Sequence, residues 1–439
     1  MSKRILGALA AIFLLVATNQ ALLAWQRPAK IAPVTSTDVL ARTNQVLQEV
    51  SQLRHLSVMS PVKSGLKSRK EIEQVVLRNF SESSRPEEIE AANKTLIVLG
   101  LVPPDFRYKD FMVRLLVEQV AGFYEPRTKE FYLADWTDLD QQTPIMAHEL
   151  VHALQDQHFN LRRFEKWPHG DGDREQAVHA LVEGDATALM FDYLLKPQKL
   201  DITRLPRSLS ELGDLLAVSG ERKGEEVIAA APPAIRESLL FPYTYGAGFA
   251  QEIVKRSGWD GLSKAFEDLP QSTEQIIHVE KYLSHEQPIK ITLRDISSMI
   301  GRGWRRIDTD VNGEFGYFLI LSQFIPKQEA RSAARGWAGD QCSVYENEKG
   351  ELALAHLSSW DTPADAEKFI NAYARRTAKR YPGATETTDL PSAYRGFKTT
   401  EGEALVELRG NSVMALEGFR GMNREQLVEI MNTLWKSGR

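Results

Sequence analysis

A single cysteine, Cys342, occurs in 439 residues, so no disulfide can close within the chain. The same count excludes a structural zinc site built from several thiolates, and Cys342 reads as a buried thiol. An excess of charge of one sign is also missing. Lys and Arg number 54 against 59 Asp and Glu, for a net charge of −5 and an isoelectric point near 6.1. Such a balance offers no basic face to a phosphate backbone, and nucleic acid is not expected as a partner. Internal repeats and low-complexity tracts are absent. So is any apolar run of the roughly 20 residues that span a bilayer.

The longest such run, Ile5 to Ala17, covers 13 residues and follows Lys3 and Arg4. A positive start and a short apolar core are the marks of a secretory signal. Residues 1–25 are therefore expected to be a signal peptide or an uncleaved N-terminal membrane anchor, and the body of the protein to be exported to the cell envelope or beyond. Residues 26–36 carry Pro28 and Pro33 and read as a linker.

What the chain does contain is His148-Glu149-Leu150-Val151-His152, set between Met146-Ala147 and Ala153-Leu154. On a helix, residues four apart lie one above the other on the same face. That spacing lets two neutral imidazoles reach one zinc ion at about 2.0–2.1 Å. Glu149 then stands beside the first imidazole, where it can take a proton from a metal-bound water.

A third ligand has to come from further along. His158 follows His148 by ten residues, as in the metzincin pattern, but Gln155 occupies the position of that pattern's helix-ending glycine. A continuing helix carries His158 about 15 Å along the axis, out of reach. Glu183 lies in a second apolar helical stretch, Ala177 to Met190, with Asp185 as its nearest rival. Two histidines, one carboxylate and an open position for water make a catalytic zinc site. A transition state on such a site also needs a hydrogen-bond donor, for which Tyr243, Tyr245 and His278 are candidates. His179, four residues before Glu183, is placed to support the ligand rather than to bind.

With these residues the chain resembles the gluzincin zinc metallopeptidases. In that clan the peptidase MA-like group writes the second element as Glu-Gly-x-Ala, matched here by Glu183-Gly184-Asp185-Ala186. Tyr245-Gly246-Ala-Gly-Phe249, Gly258-Trp259 and Pro270 to His278 follow in a similar order, so that the likeness covers roughly residues 110–325. It departs at Thr187, where better-known gluzincins carry an Asp that orients a histidine. The resemblance implies an α+β fold, with a mainly helical zincin-like domain over 109–326 and Zn²⁺ as cofactor. It also implies a protein or peptide substrate, laid against a strand edge just before the metal helix. Val120 to Tyr124 and Glu130 to Leu133 supply a hairpin there.

Residues 37–108 are expected to be a helical lead-in, with Ser68-Arg-Lys-Glu71 a capping box. Gly313 to Ile325 reads as a buried helix closing the catalytic domain. Residues 327–439 alternate helix and strand in the order of a smaller α/β sandwich with antiparallel sheet, whose partner is not legible. The function expected is hydrolysis of peptide bonds by Glu149 and a zinc-bound water. The alternative is a cell-envelope binding or assembly module that keeps the metal site with little or no turnover.

Overall fold

The computed structural model describes residues 36–437 apart from 84, 137–138, 140–141, 165–166 and 212–225, so the apolar N-terminal run lies outside the described residues. Among the described residues no helix is long and apolar enough to cross a membrane. Helix and sheet are mixed, and the chain is of the α+β class.

Helix α1 (Ser36–Arg54) buries Val39, Val46, Leu47 and Val50 at helical spacing, against α5 and α6 below. Strand β1 (Lys63–Lys67) follows, then α2 (Arg69–Ser83), α3 (Pro86–Val98) and α4 (Tyr108–Gln119). The Ser68 box forms: Ser68 N–H donates to Glu71 Oε2 at 2.9 Å and Glu71 N–H to Ser68 Oγ at 3.4 Å. Strands β2 (Gly122–Glu125) and β3 (Glu130–Ala134) make the expected hairpin. Strand β1 was not expected. Lys-Ser-Gly-Leu-Lys has one large apolar residue and no alternation, and it becomes a strand because it pairs in parallel with β3, Lys63 to Lys67 against Glu130 to Ala134. The lead-in thus adds the outer strand to a sheet of order β1-β3-β2, with β2 at the other edge.

Helix α5 (Thr143–Phe159) carries the His-Glu-x-x-His run. It ends at Asn160, whose left-handed backbone (φ 56°) stops the helix. Helix α6 (Gly172–Leu195) packs against α5 on one side and along α7 (Pro233–Ala265) on the other. The α6–α7 approach is backbone on backbone. A Cβ built at Gly184 falls 2.1 Å from the Gly246 carbonyl carbon, and one at Gly246 falls 2.1 Å from the Ala180 oxygen. The glycines of Glu183-Gly184 and Tyr245-Gly246 are therefore the contact that brings these helices together, at the level of the candidate ligand. Within α7, Pro242 is accommodated in the helix, and Gly258 (φ 67°) breaks it.

Helix α8 (Thr273–Ile277) leads to strand β4 (Arg305–Asp310), then α9 (Gly313–Ser322) and α10 (Lys327–Ala334). Next come β5 (Trp337–Glu346), β6 (Leu352–Trp360), α11 (Pro363–Arg380), β7 (Thr385–Glu386), β8 (Tyr394–Thr399), β9 (Gly402–Arg409), β10 (Ser412–Glu417) and α12 (Arg424–Ser437). These strands form a seven-stranded antiparallel sheet of order β4-β5-β6-β10-β9-β8-β7. The period-2 alternation separates its faces. Val344, Leu354, Val406 and Val413 cluster with Phe369 and Tyr373 of α11. Tyr345, Ala355, Leu405 and Met414 cluster with Leu427, Ile430 and Leu434 of α12. The sheet starts at β4, upstream of the expected boundary at 327, because this polar edge strand gains its place by pairing with β5 rather than by its own pattern.

The two parts share buried polar joints. Arg376 donates to Glu417 Oε1 and to the Leu99 carbonyl beyond α3, both at 2.6 Å. Asp310 Oδ1 accepts from Gly172 N–H at the head of α6, and Asp340 holds Asn312 and Gly313 N–H at the head of α9. Replacing Gly246 by Ala is expected to lower the unfolding free energy by about 1–3 kcal/mol, by overpacking the α6–α7 contact. Urea unfolding measures this, and an unchanged midpoint contradicts the close approach.

Candidate metal centre

Helix α5 sets His148 and His152 one turn apart with their Nε2 atoms 3.1 Å from each other. Helix α6 brings Glu183 Oε2 to 3.1 Å from the first and 3.4 Å from the second. Two zinc–ligand bonds of about 2.0–2.1 Å meeting at a tetrahedral angle place their ligand atoms about 3.3 Å apart. The three donor atoms thus stand at the separations one such ion requires. They are the one group of three or more metal-ligating side chains found together among the described residues.

All three side chains are buried. Burial raises a carboxyl's pKa, but the His152 and His148 rings hold Glu183 well below its usual range, so it is a carboxylate. Burial lowers His148, which keeps that ring neutral. For His152 burial works in the same sense, yet the Glu183 charge outweighs it and the ring is pushed up to about 9.

A chain of buried polar groups fixes the second ring. His152 Nδ1 lies 2.8 Å from Gln155 Oε1. Gln155 Nε2 donates to the Val182 carbonyl at 3.0 Å and to Asp185 Oδ2 at 2.9 Å. With both amide hydrogens spent, the amide oxygen is the atom facing the ring. Nδ1 must therefore donate, and Nε2 is the nitrogen that gives up its proton when an ion binds. Asp185 in turn is clasped by Arg54 at 2.6 and 3.1 Å, and Arg54 also donates to Trp259 O and Ser263 Oγ at 3.0 Å. Asp185, the rival third ligand, is consequently taken up by Arg54 and Gln155.

Glu149 sits beside the group. Its Oε2 accepts from Tyr124 N–H of edge strand β2 at 2.9 Å, which ties the strand before the metal helix to the candidate base. Burial pushes its carboxyl up to about 8, with the Glu183 charge adding and His152 opposing. A proton acceptor is most effective when its pKa lies near the working pH.

The candidate donors are not all brought here. Tyr243 stacks on His148, ring centroids 6.0 Å apart at 29°. Tyr245 lies about 200° further round the same helix. It packs on Phe241 and Phe315 and bonds Arg331, so it is not at the metal group. His278 caps α8 and pairs with Glu314 at 3.0 Å, likewise elsewhere. The structure does not bring either beside the three donor atoms: Tyr245 faces Phe241, Phe315 and Arg331, and the α8 turn directs His278 toward Glu314 of α9. His158 meets the Ser57 carbonyl. His179 Nε2 is 3.5 Å from Glu183 Oε1. Thr187 is buried with no hydrogen bond to its hydroxyl among the described residues, and His148 Nδ1 likewise has no partner among them. Gln155 was overlooked as a functional residue. The signal for it was present: three residues after His152 on a helix, it shares that ring's face.

Residues 300–430, from just before β4 into α12, match the model of a domain of unknown function (DUF8575). No curated protein and no solved structure matches the chain.

Gln155→Leu is expected to weaken metal binding by about 10–100-fold, since it frees the His152 ring and leaves its buried Nδ1 without the Gln155 acceptor. Competition against a chelating dye reads this, and unchanged affinity would remove Gln155 from the account.

Proposed function

We propose that the protein is an exported zinc-dependent peptidase of gluzincin type, in which His148, His152 and Glu183 hold the ion and Glu149 is the proton carrier. The observation that carries the reading is the meeting of three buried donor atoms 3.1–3.4 Å apart with the buried carboxyl group of Glu149 next to them. A zinc ion so held supplies a water of pKa about 7 and polarises a carbonyl. Glu149 accepts the water's proton and returns it to the leaving amine. The Tyr124 N–H keeps one Glu149 oxygen engaged, which leaves the other for that transfer. Tyr243, whose ring stacks against His148, is the tyrosine assigned as hydrogen-bond donor to the substrate. The zincin-like character of the helical part belongs to this proposal, as does export, which rests on Lys3, Arg4 and the run from Ile5 to Ala17.

Burial of all four side chains also favours a second reading. A metal group without solvent access would serve a binding or assembly module with little turnover, and the ion would then act as a strut.

One experiment separates them: metal analysis of the purified protein, followed by incubation with unfolded casein with and without chelator. The peptidase reading expects about one zinc per chain and chelator-sensitive cleavage. Glu149→Gln should retain the metal and lose about 10²–10⁴-fold in rate. Bound zinc with no cleavage supports the module, and equal cleavage by Glu149→Gln dismisses the role given to that residue.

A further inference from the structure

A groove that none of the metal group's side chains lines runs between helices α10 and α11. Gln328 and Ser332 of α10 form one wall, and Lys368, Asn371 and Arg375 of α11 the other. These residues fall at i, i+4 and at i, i+3, i+7, so each set shares one helix face. The groove, of about 510 Å³, adjoins a cleft of about 810 Å³ whose lining includes the same Ser332 and Lys368. The cleft adds Arg335 and Asp361 from the region matching the domain of unknown function, and Arg256 and Lys281 from the helical part.

Every carboxylate of this lining already has a cation. Glu280 pairs with Arg256 at 2.9 Å, Asp361 with Lys281 at 2.8 Å and Asp365 with Lys368 at 3.0 Å. Glu252 is taken by Lys255 at 3.3 Å, and Glu329 by Arg375 across the groove. Arg335 differs. Its guanidinium lines the cleft and makes no hydrogen bond or ion pair among the described residues. The Ser332 hydroxyl and the Gln328 amide are likewise unengaged among them. The unspent capacity of the surface is therefore one fork of N–H donors flanked by neutral hydrogen-bonding groups.

The backbone that carries Arg335 is held on both sides. Its N–H donates to the Arg331 carbonyl at 3.1 Å, ending α10, and the Gly336 carbonyl accepts from Asp361 N–H at 2.7 Å. Gly336 has φ 82°, and a Cβ there would fall 2.9 Å from Asp365 Cγ, so the chain passes close to the head of α11. Arg335 is thus anchored between a helix and a strand with its head group unclaimed, and a group fixed in advance loses little on binding. A guanidinium fork matches a carboxylate. From Lys368 to Arg375 the α11 wall advances about 10.5 Å. An extended chain covers that distance in about three residues, and the cleft continues the path.

We propose that the groove and cleft are a docking surface for an acidic peptide segment of a partner protein, with Arg335 holding one of its carboxylates. The inference is independent of the peptidase reading. It gives the region matching the domain of unknown function a part in recognition.

The test is fluorescence anisotropy of the full-length protein with labelled hexaglutamate and hexaglutamine peptides. Hexaglutamate should bind about tenfold or more tightly than hexaglutamine, and should weaken as salt rises. Arg335→Ala should cost about tenfold in affinity. Arg335→Lys, which keeps the charge and loses the fork, should cost less. Arg302→Ala, an exposed arginine outside the lining, should change nothing. Thermal melting checks that each variant is folded. No binding of hexaglutamate, equal binding of hexaglutamine, or binding that Arg335→Ala leaves unchanged overturns the surface. Displacement of the peptide by inorganic phosphate at equal concentration also overturns it, since that marks a site for a small anion only.

Discussion

The structure turns on a buried ion pair, Arg54 with Asp185, both fully screened from water. Withdrawing two charges from solvent is costly, and the cost is recovered only where each remaining donor and acceptor is satisfied. Here they are: Arg54 reaches Trp259 and Ser263 on α7, and Asp185 takes the Gln155 amide from α5. One pair thus locks α1, α5, α6 and α7 in a single register. Through Gln155 it also decides which nitrogen of His152 faces the ligand group. The lead-in helix is, for this reason, part of the site.

The same economy appears at the other end of α6. Asp310 and Asp340 use backbone N–H groups at helix starts, where unpaired donors favour a carboxylate. They join the seven-stranded sheet to the helical part, as Arg376 does through the Leu99 carbonyl. Phe315, Leu319 and Ile320 of the region matching a domain of unknown function also share a cavity lining with His179 of α6.

Much of this was legible where the signal is local. His148 and His152 at i and i+4, the apolar surround of Glu183, the hairpin before α5 and the strand-helix alternation of the last third all follow from periodicity. Other features depend on partners distant in sequence. Strand β1 has no pattern of its own and takes its form from β3. Gln155 looks like an ordinary helix former until Asp185 and Val182 orient its amide. Tyr245 and His278 looked like donors by residue type, but the direction each faces is set by Pro242-bearing α7 and by the α8 turn. Residue type names candidates; three-dimensional register chooses among them.

The most direct measurement is zinc K-edge absorption on the purified full-length protein. The account predicts a first shell of two imidazole nitrogens with oxygen ligands at about 2.0–2.1 Å, one imidazole lost on replacing either His148 or His152. A spectrum without imidazole scattering, or one indifferent to those replacements, would place the ion elsewhere and contradict the centre described here.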